Sequence, residues 1–366
     1  MRELYICDTP YQVMNALNIA YHKKDSADKI LFIENQFRTA EQLAERAGKT
    51  GIFKKVYLLR RDEIKFMPAG FKRLTLKIML NFAPKMYMRL RLKDYAGECE
   101  SVFDEPFNTI YASMAIRSVI AMLRLNRKAE LIFFDDGTGS YSGEIITKGK
   151  GILYSVFRKV FHAGTYLCRP SSLFVNNIKM CRTLTVPKDR IFPLPEIDKG
   201  FIDFCGKIFG VNSEKRNYVF WLSQPPDSTP GASEARDKVR ACLMPYRDKI
   251  TVRMHPRDND AEYYRDFTID YGHDMWELSI LSYKDKADSL ILIAGYSSAQ
   301  TNPKILFDME PVLIFLNHFN ASTSHEEYDR IDSQIEDMRK VYRNPEKIYH
   351  PKTPEELSAV LQKIFS

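Results

Sequence analysis

Two adjacent carboxylates, Asp135 and Asp136, follow the apolar run Leu131-Ile132-Phe133-Phe134 and precede Gly137-Thr138-Gly139-Ser140-Tyr141. An apolar run that stops abruptly on acids and glycines reads as a buried strand delivering those acids to a sheet edge, where ligands of open α/β sheets bind. A carboxylate placed there can take a proton as a general base. Acids and glycines also make ordinary chain reversals, and this stretch alone fits both readings.

Three further loops follow apolar runs and carry polar groups. In Cys7-Asp8-Thr9-Pro10-Tyr11-Gln12 a strand gives way to a helix, with Asp8 or Thr9 as its cap and Pro10 in its first turn. There the backbone at Thr9, Pro10, Tyr11 and Gln12 could face a substrate. In Ser223-Gln224-Pro225-Pro226-Asp227-Ser228 two prolines stiffen the chain around Asp227, a second candidate base, although a helix cap near Ser228 fits equally well. In Arg253-Met254-His255-Pro256-Arg257 a histidine ends a strand, where it can hold or give a proton near neutral pH, with Arg253 and Arg257 as flanking anion ligands. Finally, Ala294-Gly295-Tyr296-Ser297-Ser298 opens a helix whose unpaired amides would suit a phosphate, or whose serines simply cap it.

The elements that must carry these loops follow from the pattern of apolar runs. Short β-branched or aromatic runs at Glu3–Cys7, Lys29–Glu34, Lys54–Leu59, Thr109–Ala112 and Glu130–Phe134 alternate with amphipathic stretches such as Tyr11–Tyr21, which predicts βαβ units and a parallel sheet. A second alternating block begins near Asn217, with strands expected at Tyr218–Leu222, Lys249–Met254, Ser289–Ala294 and Val312–Leu316. Its helices are expected around Ser233–Met244, Asp274–Tyr283 and Ala299–Phe307. At 366 residues the chain is long enough for two cores. The expected fold class is α/β, with two Rossmann-like domains, 1–212 and 213–366, facing across a cleft as in glycosyltransferases of the GT-B type.

Composition narrows the function classes. Hydrophobic residues make up 45% and charged residues 28%, an ordinary globular balance. No apolar run approaches the 18 residues that a membrane span needs, and Met1-Arg2-Glu3-Leu4 reads as the start of a strand rather than a leader, so a cytoplasmic location is expected. The six cysteines form no CxxC pair, so free thiols are expected and no metal site is implied. The net charge of +7 is partly concentrated between Lys72 and Lys93, where seven basic residues and no acid interleave with apolar ones around Pro84. That is the composition of a membrane-surface helix or an anion-attracting wall, or of two core-packed helical pieces with a wet basic face. No continuous basic and aromatic surface suggests nucleic-acid binding.

Taken together, the four loops resemble the bacterial sialyltransferases of glycosyltransferase family 52, the lipooligosaccharide type. The resemblance rests on Asp135-Asp136-Gly137-Thr138-Gly139 as the acid-acid-glycine motif, His255-Pro256 as the histidine-proline motif, Ser223-Gln224-Pro225-Pro226-Asp227 as the loop bearing a family aspartate, and Ser297-Ser298. These occur in family order over most of the chain. The resemblance implies inverting, metal-independent transfer of sialic acid from CMP-sialic acid, with no cofactor, to a terminal sugar such as galactose on a bacterial lipooligosaccharide or capsule. The N-terminal domain would hold the acceptor and the C-terminal domain the donor. Asp227 would be the base, with Asp136 second because related families keep the base in the acidic motif, and His255 would be the acid or phosphate partner. A homodimer is also implied. Some family members carry an N-terminal hydrophobic anchor that this sequence lacks, which leaves any peripheral contact with the inner face of the membrane to residues 72–93. A transferase using another nucleotide sugar, and a non-catalytic nucleotide- or glycan-binding protein, are the alternative readings.

Overall fold

A computed structural model of the chain describes residues 1–60, 69–95, 98–141, 169–181, 186–210, 217–224, 232–255, 258–272, 274–319 and 325–366. Two compact units divide it, Met1–Ile208 and Phe209–Ser366.

Among the described residues of the first unit the apolar runs form seven parallel strands: β1 (Arg2–Cys7), β2 (Asp28–Glu34), β3 (Lys55–Leu59), β4 (Thr109–Ala112), β5 (Glu130–Phe134), β6 (Ser172–Val175) and β7 (Ile191–Pro193). Their order is β3-β2-β1-β4-β5-β6-β7. Strand order reverses between β1 and β4, the switch point at which open sheets bind ligands. The register pairs Ile6 with Ala112, Ala112 with Phe133, and Phe134 with Phe174, so β1, β4, β5 and β6 end together at one edge. Because both faces of a parallel sheet are covered, the central strands are mostly apolar; Leu4, Tyr5, Cys7, Phe133 and Phe134 are fully buried.

Helices of this unit include α1 (Pro10–His22), α2 (Ala40–Gly48), α3 (Ala69–Phe82) and α4 (Pro84–Arg91). Thr9 is the extended N-cap of α1, accepting the Gln12 amide through Oγ1, and Pro10 occupies the first turn where its missing N–H costs nothing. Pro84 splits the basic apolar stretch into α3 and α4, as its ring requires. One of the seven basic residues there is not a surface charge: Arg91 is buried and forms a bidentate ion pair with Glu34 on β2, which also accepts the Ser118 hydroxyl at 2.7 Å.

Among its described residues the second unit has six parallel strands: β8 (Val219–Leu222), β9 (Ile250–Arg253), β10 (Thr268–Asp270), β11 (Ile291–Ala294), β12 (Val312–Phe315) and β13 (Ile348–Tyr349), ordered β10-β9-β8-β11-β12-β13. Its switch point lies between β8 and β11. Trp221 meets Tyr264 and Phe267 edge to face, at 5.1 and 5.6 Å between centroids, within a core completed by Leu243, Val252, Ile293 and Leu357. Where one helix was expected over Asp274–Tyr283, the chain makes a single α-turn, Trp276–Ser279, and continues as a tighter helix through Ser289 with a break at Lys286. The strands β6, β7, β10 and β13 have two to four residues each, too few to show a periodicity in the sequence. No helix among the described residues is long and apolar enough to cross a membrane.

Candidate functional site

The switch-point edge of the first sheet gathers polar residues from four loops. Asp135 and Asp136 leave β5 in opposite senses, as consecutive residues of an extended chain do. Asp135 is fully buried. Its Oδ1 accepts the Gly137 amide at 2.7 Å, and its Oδ2 accepts the Asn176 amide and the Asn176 side-chain Nδ2 at 3.1 Å each, together with the Tyr141 hydroxyl. Burial pushes the Asp135 carboxyl above the usual range while these four donors pull it down. Burial and the adjacent Asp135 raise the Tyr141 phenol well above its ordinary value, so Tyr141 keeps its proton and donates it. Asp135 is therefore the anchor of the loop, tying β5 to the chain that follows β6.

Asp136 faces the other way, toward α1. Its Oδ1 accepts Gln12 Nε2 at 2.5 Å and its amide donates to Ser140 Oγ at 2.7 Å, while Ser113, just past β4, lies near enough to help lower its carboxyl. Gly137, with φ +83°, makes the tight reversal that turns Ser140 back onto this amide; a side chain at that φ would be strained. Burial pushes the Asp136 carboxyl up to about 7, the hydrogen bond from Gln12 opposes this, and the nearby Asp8 and Asp135 add to the rise. A carboxylate near pH 7 exchanges protons with little cost in either direction, which is the property a general base needs.

Gln12 is itself held. Its Oε1 accepts the Asp8 amide at 2.8 Å, leaving Nε2 aimed at Asp136. Three further hydrogen bonds complete the frame: Asn15 Nδ2 donates to the Asp135 carbonyl at 3.0 Å, Asn176 Nδ2 also reaches the Tyr11 hydroxyl at 3.0 Å, and the Asn177 amide donates to the Tyr141 hydroxyl at 3.2 Å. Ser113, Asn15, Tyr141 and Asn176 were not among the residues singled out from the sequence. Only the Asn176-Asn177 pair after the short apolar run Leu173-Phe174-Val175 offered a signal. Of the expected residues, Thr9, Pro10, Tyr11, Gln12, Asp135, Asp136 and Gly137 lie at this edge, and Thr138 and Gly139 open the short helix Thr138–Tyr141.

The second sheet brings Ser223, Gln224, His255 and Ser297 to its own switch-point edge. Ser223 Oγ accepts the His255 amide at 2.8 Å, and the His255 carbonyl accepts the Asp258 amide at 2.8 Å. Asp258 is fully buried, accepting the Tyr264 hydroxyl at 3.2 Å and the Asp260 amide at 3.0 Å, so the turn presenting the half-buried His255 is fixed from below. Gln224 Nε2 donates to the Tyr296 carbonyl at 3.3 Å, and its side-chain amide lies 3.0 Å from where a Cβ on Gly295 would stand. Ser297 is the N-cap of the helix Ser298–Phe307, its Oγ accepting the Ala299 amide at 3.3 Å.

Arg253 departs from the sequence expectation. It is buried and bonded through Nη1 to Asp270 and Asp274 at 2.7 Å each and through Nη2 to the Asp274 carbonyl, so it ties β9 to β10 and does not serve an anion. Asp227, with Pro225 and Pro226, and the pair Pro256 and Arg257 lie outside the described residues.

One further cluster has the composition of a metal site. His318, Asp332 and His350 bring ligand atoms within 4.8 Å of one another. Their hydrogen bonds close without an ion, however: His318 Nε2 meets Asp332 at 3.0 Å, Asn317 Nδ2 donates to Asp332 at 3.0 Å, and His350 Nε2 meets Asn317 Oδ1 at 2.8 Å. The cluster reads as a polar tie joining the ends of β12 and β13 to the helix His325–Val341.

No protein-family model matches the sequence, and no curated protein matches it. Solved structures do match in fold. Staphylococcus aureus MnaA with UDP superposes with a TM-score of 0.52 at 9% identity, over 100% of this chain and 88% of that one. A Listeria monocytogenes protein assigned as a UDP-N-acetylglucosamine 2-epimerase gives 0.52 at 11%, over 100% and 88%. The GT-B domain of a Photobacterium damselae sialyltransferase gives 0.50 at 11%, over 95% and 99%. At such identities the likeness establishes architecture: the chain has two Rossmann-like α/β domains of the GT-B type.

Proposed function

We propose that the protein is a glycosyltransferase that uses a nucleotide sugar, and specifically an inverting, metal-independent sialyltransferase drawing on CMP-sialic acid. The observation that carries the reading is Asp136, a carboxylate pushed up to about 7 at the switch-point edge of a GT-B-type unit, held by Gln12 and backed by a fully anchored neighbour. The choice of donor rests on the acid-acid-glycine and histidine-proline motifs, and the sialyltransferase among the similar folds is compatible with it.

In this reading the first unit handles the acceptor and the second the donor. The acceptor hydroxyl gives its proton to a carboxylate as its oxygen bonds to the anomeric carbon, and the bond from that carbon to the phosphate oxygen breaks with its electron pair leaving on CMP. General-base assistance of this kind is worth roughly 10²- to 10⁴-fold. His255 stabilises the departing phosphate by a charged hydrogen bond or a proton. Asp136 is the base that the described geometry favours; Asp227 is the base that the family resemblance favours.

The test is CMP release from CMP-sialic acid across lactose, lactosamine and sialylated acceptors, for wild type, Asp136→Asn, Asp227→Asn and His255→Ala. Loss of release in a folded Asp136→Asn protein with turnover retained in Asp227→Asn assigns the base to Asp136; the reverse assigns it to Asp227. Calorimetry with CMP and UDP separates this reading from a UDP-sugar transferase, which the UDP seen with a similar fold keeps in play. Tighter UDP binding, with no CMP release, would overturn the sialyltransferase assignment.

A further inference from the structure

Nine large apolar side chains are strongly exposed among the described residues, and four of them fall within residues 78–90. Ile78 (48% exposed) and Phe82 (79%) stand one turn apart on α3, and Met86 and Leu90 (52% each) one turn apart on α4. A bare phenylalanine on a helix is costly in water unless something covers it.

These helices are held firmly by their other side. Leu76, Met79 and Leu80 of α3 are buried, as are Tyr87 and Met88 of α4. Arg91 fixes the end of α4 through Glu34 and through the Arg60 carbonyl at 2.8 Å, and Arg124 fixes the end of α3 through the Asn81 carbonyl at 2.9 Å. The outward rows are therefore presented by fixed helices rather than left over from poor packing.

Charge says what covers them. The sequence from 72 to 93 carries seven basic residues and no acid, and one of the seven, Arg91, is withdrawn into its ion pair. Arg89 is exposed beside Leu90, and Lys85 is half-exposed beside Met86. Apolar side chains interleaved with acid-free basic ones match a surface that is oily below and anionic above. We propose that the outward face of α3 and α4 docks on an anionic lipid surface, with Ile78, Phe82, Met86 and Leu90 entering the headgroup and acyl boundary and the lysines and arginines meeting lipid phosphates. Each basic residue near such a surface contributes about fivefold in partition, so several together make binding strongly salt-dependent.

The experiment is co-sedimentation of the full chain with phosphatidylcholine vesicles, with and without phosphatidylglycerol, needing neither donor nor acceptor, so its result is independent of the transferase reading. Binding is expected to the phosphatidylglycerol vesicles alone and to drop at least tenfold at high salt. Phe82→Ser with Met86→Ser, and separately Lys85→Glu with Arg89→Glu, are expected to lower it at least tenfold with an unchanged thermal melt, whereas Tyr271→Ser, an exposed aromatic of the other unit, leaves it intact. Absence of binding to phosphatidylglycerol vesicles overturns the proposal, as does full binding by the Phe82→Ser, Met86→Ser protein. A lipid-free dimer that the same double variant dissolves would also overturn it, by giving this face to a second copy of the chain.

Discussion

Replacing Gln12 with leucine isolates what holds Asp136 ready. Gln12 Nε2 donates to Asp136 Oδ1 at 2.5 Å and lowers a carboxyl that burial has pushed up to about 7. A hydrogen bond to a charged group is worth about 1.5 to 3 kcal/mol, and one pKa unit is about 1.36 kcal/mol, so losing this donor moves Asp136 upward by about one to two units. The sign follows from which form is stabilised: the bond favours the carboxylate, so without it ionisation waits for a higher pH. At pH 7 the ionised share falls from about half to between about 1 and 10%, and wild type and variant converge only about two units above the variant's midpoint, at roughly pH 10 to 11. Two measurements read this: the acid limb of the pH–rate profile for nucleotide release, and carboxyl ¹³C shifts of aspartate-labelled protein, with Asp136→Asn assigning the resonance. The variant also takes away the acceptor of the Asp8 amide, so a thermal melt must first show that it folds. A midpoint for Asp136 that stays put, or moves down, in folded Gln12→Leu protein refutes the reasoning.

Three other outcomes follow from the same geometry. Because the folded Asp136 carboxyl sits near 7 and an unfolded aspartate near 3.9, the unfolded chain loses its proton first as pH rises, so stability declines from about pH 4 to 7 and then levels. Asp136→Asn should therefore melt higher than wild type at pH 8, by about 1 to 3 kcal/mol after allowing for partial exposure, and equally at pH 4; equal melts at both would show that the carboxyl is not raised. Asn176→Ala removes the side-chain donor to Asp135 and Tyr11 and should cost about 1 to 3 kcal/mol in urea denaturation, whereas an unchanged midpoint would mean that Asp135 needs no such partner. Burial, reinforced by the neighbouring His318, pushes His350 down to about 4 against the opposing pull of Asp332, so folded protein refuses a proton that the unfolded chain accepts below about pH 6.5. Stability should fall as pH drops from about 6.5 to 4, and His350→Gln should flatten that slope; a slope identical to wild type would remove His350 as its source.

The edges of both sheets were legible because a buried parallel strand must be apolar along its length and must end where it turns polar, which Phe133-Phe134-Asp135 and Leu222-Ser223 both display. What each polar residue does at the edge was not legible, since that depends on partners distant in the chain. Asp135 and Asp136 are adjacent and chemically identical, yet Asp135 takes its donors from Asn176, forty-one positions on, and Asp136 from Gln12, one hundred and twenty-four positions back. The same holds for Arg253: its place beside His255 suggested an anion ligand, but the alternation of β9 turns it away from the edge, to Asp270 and Asp274. Arg91, one basic residue among seven, likewise finds Glu34 on a strand fifty-seven positions earlier. In each case the residue that looked equivalent to its neighbour is separated from it by a parity of the backbone and a long-range partner. A paired acid at a strand end is thus best treated as one anchor and one free to act, and the anchor is the member held by the larger set of donors. By that criterion Asp135 holds the loop, and Asp136 is the member that the proposed reaction can use.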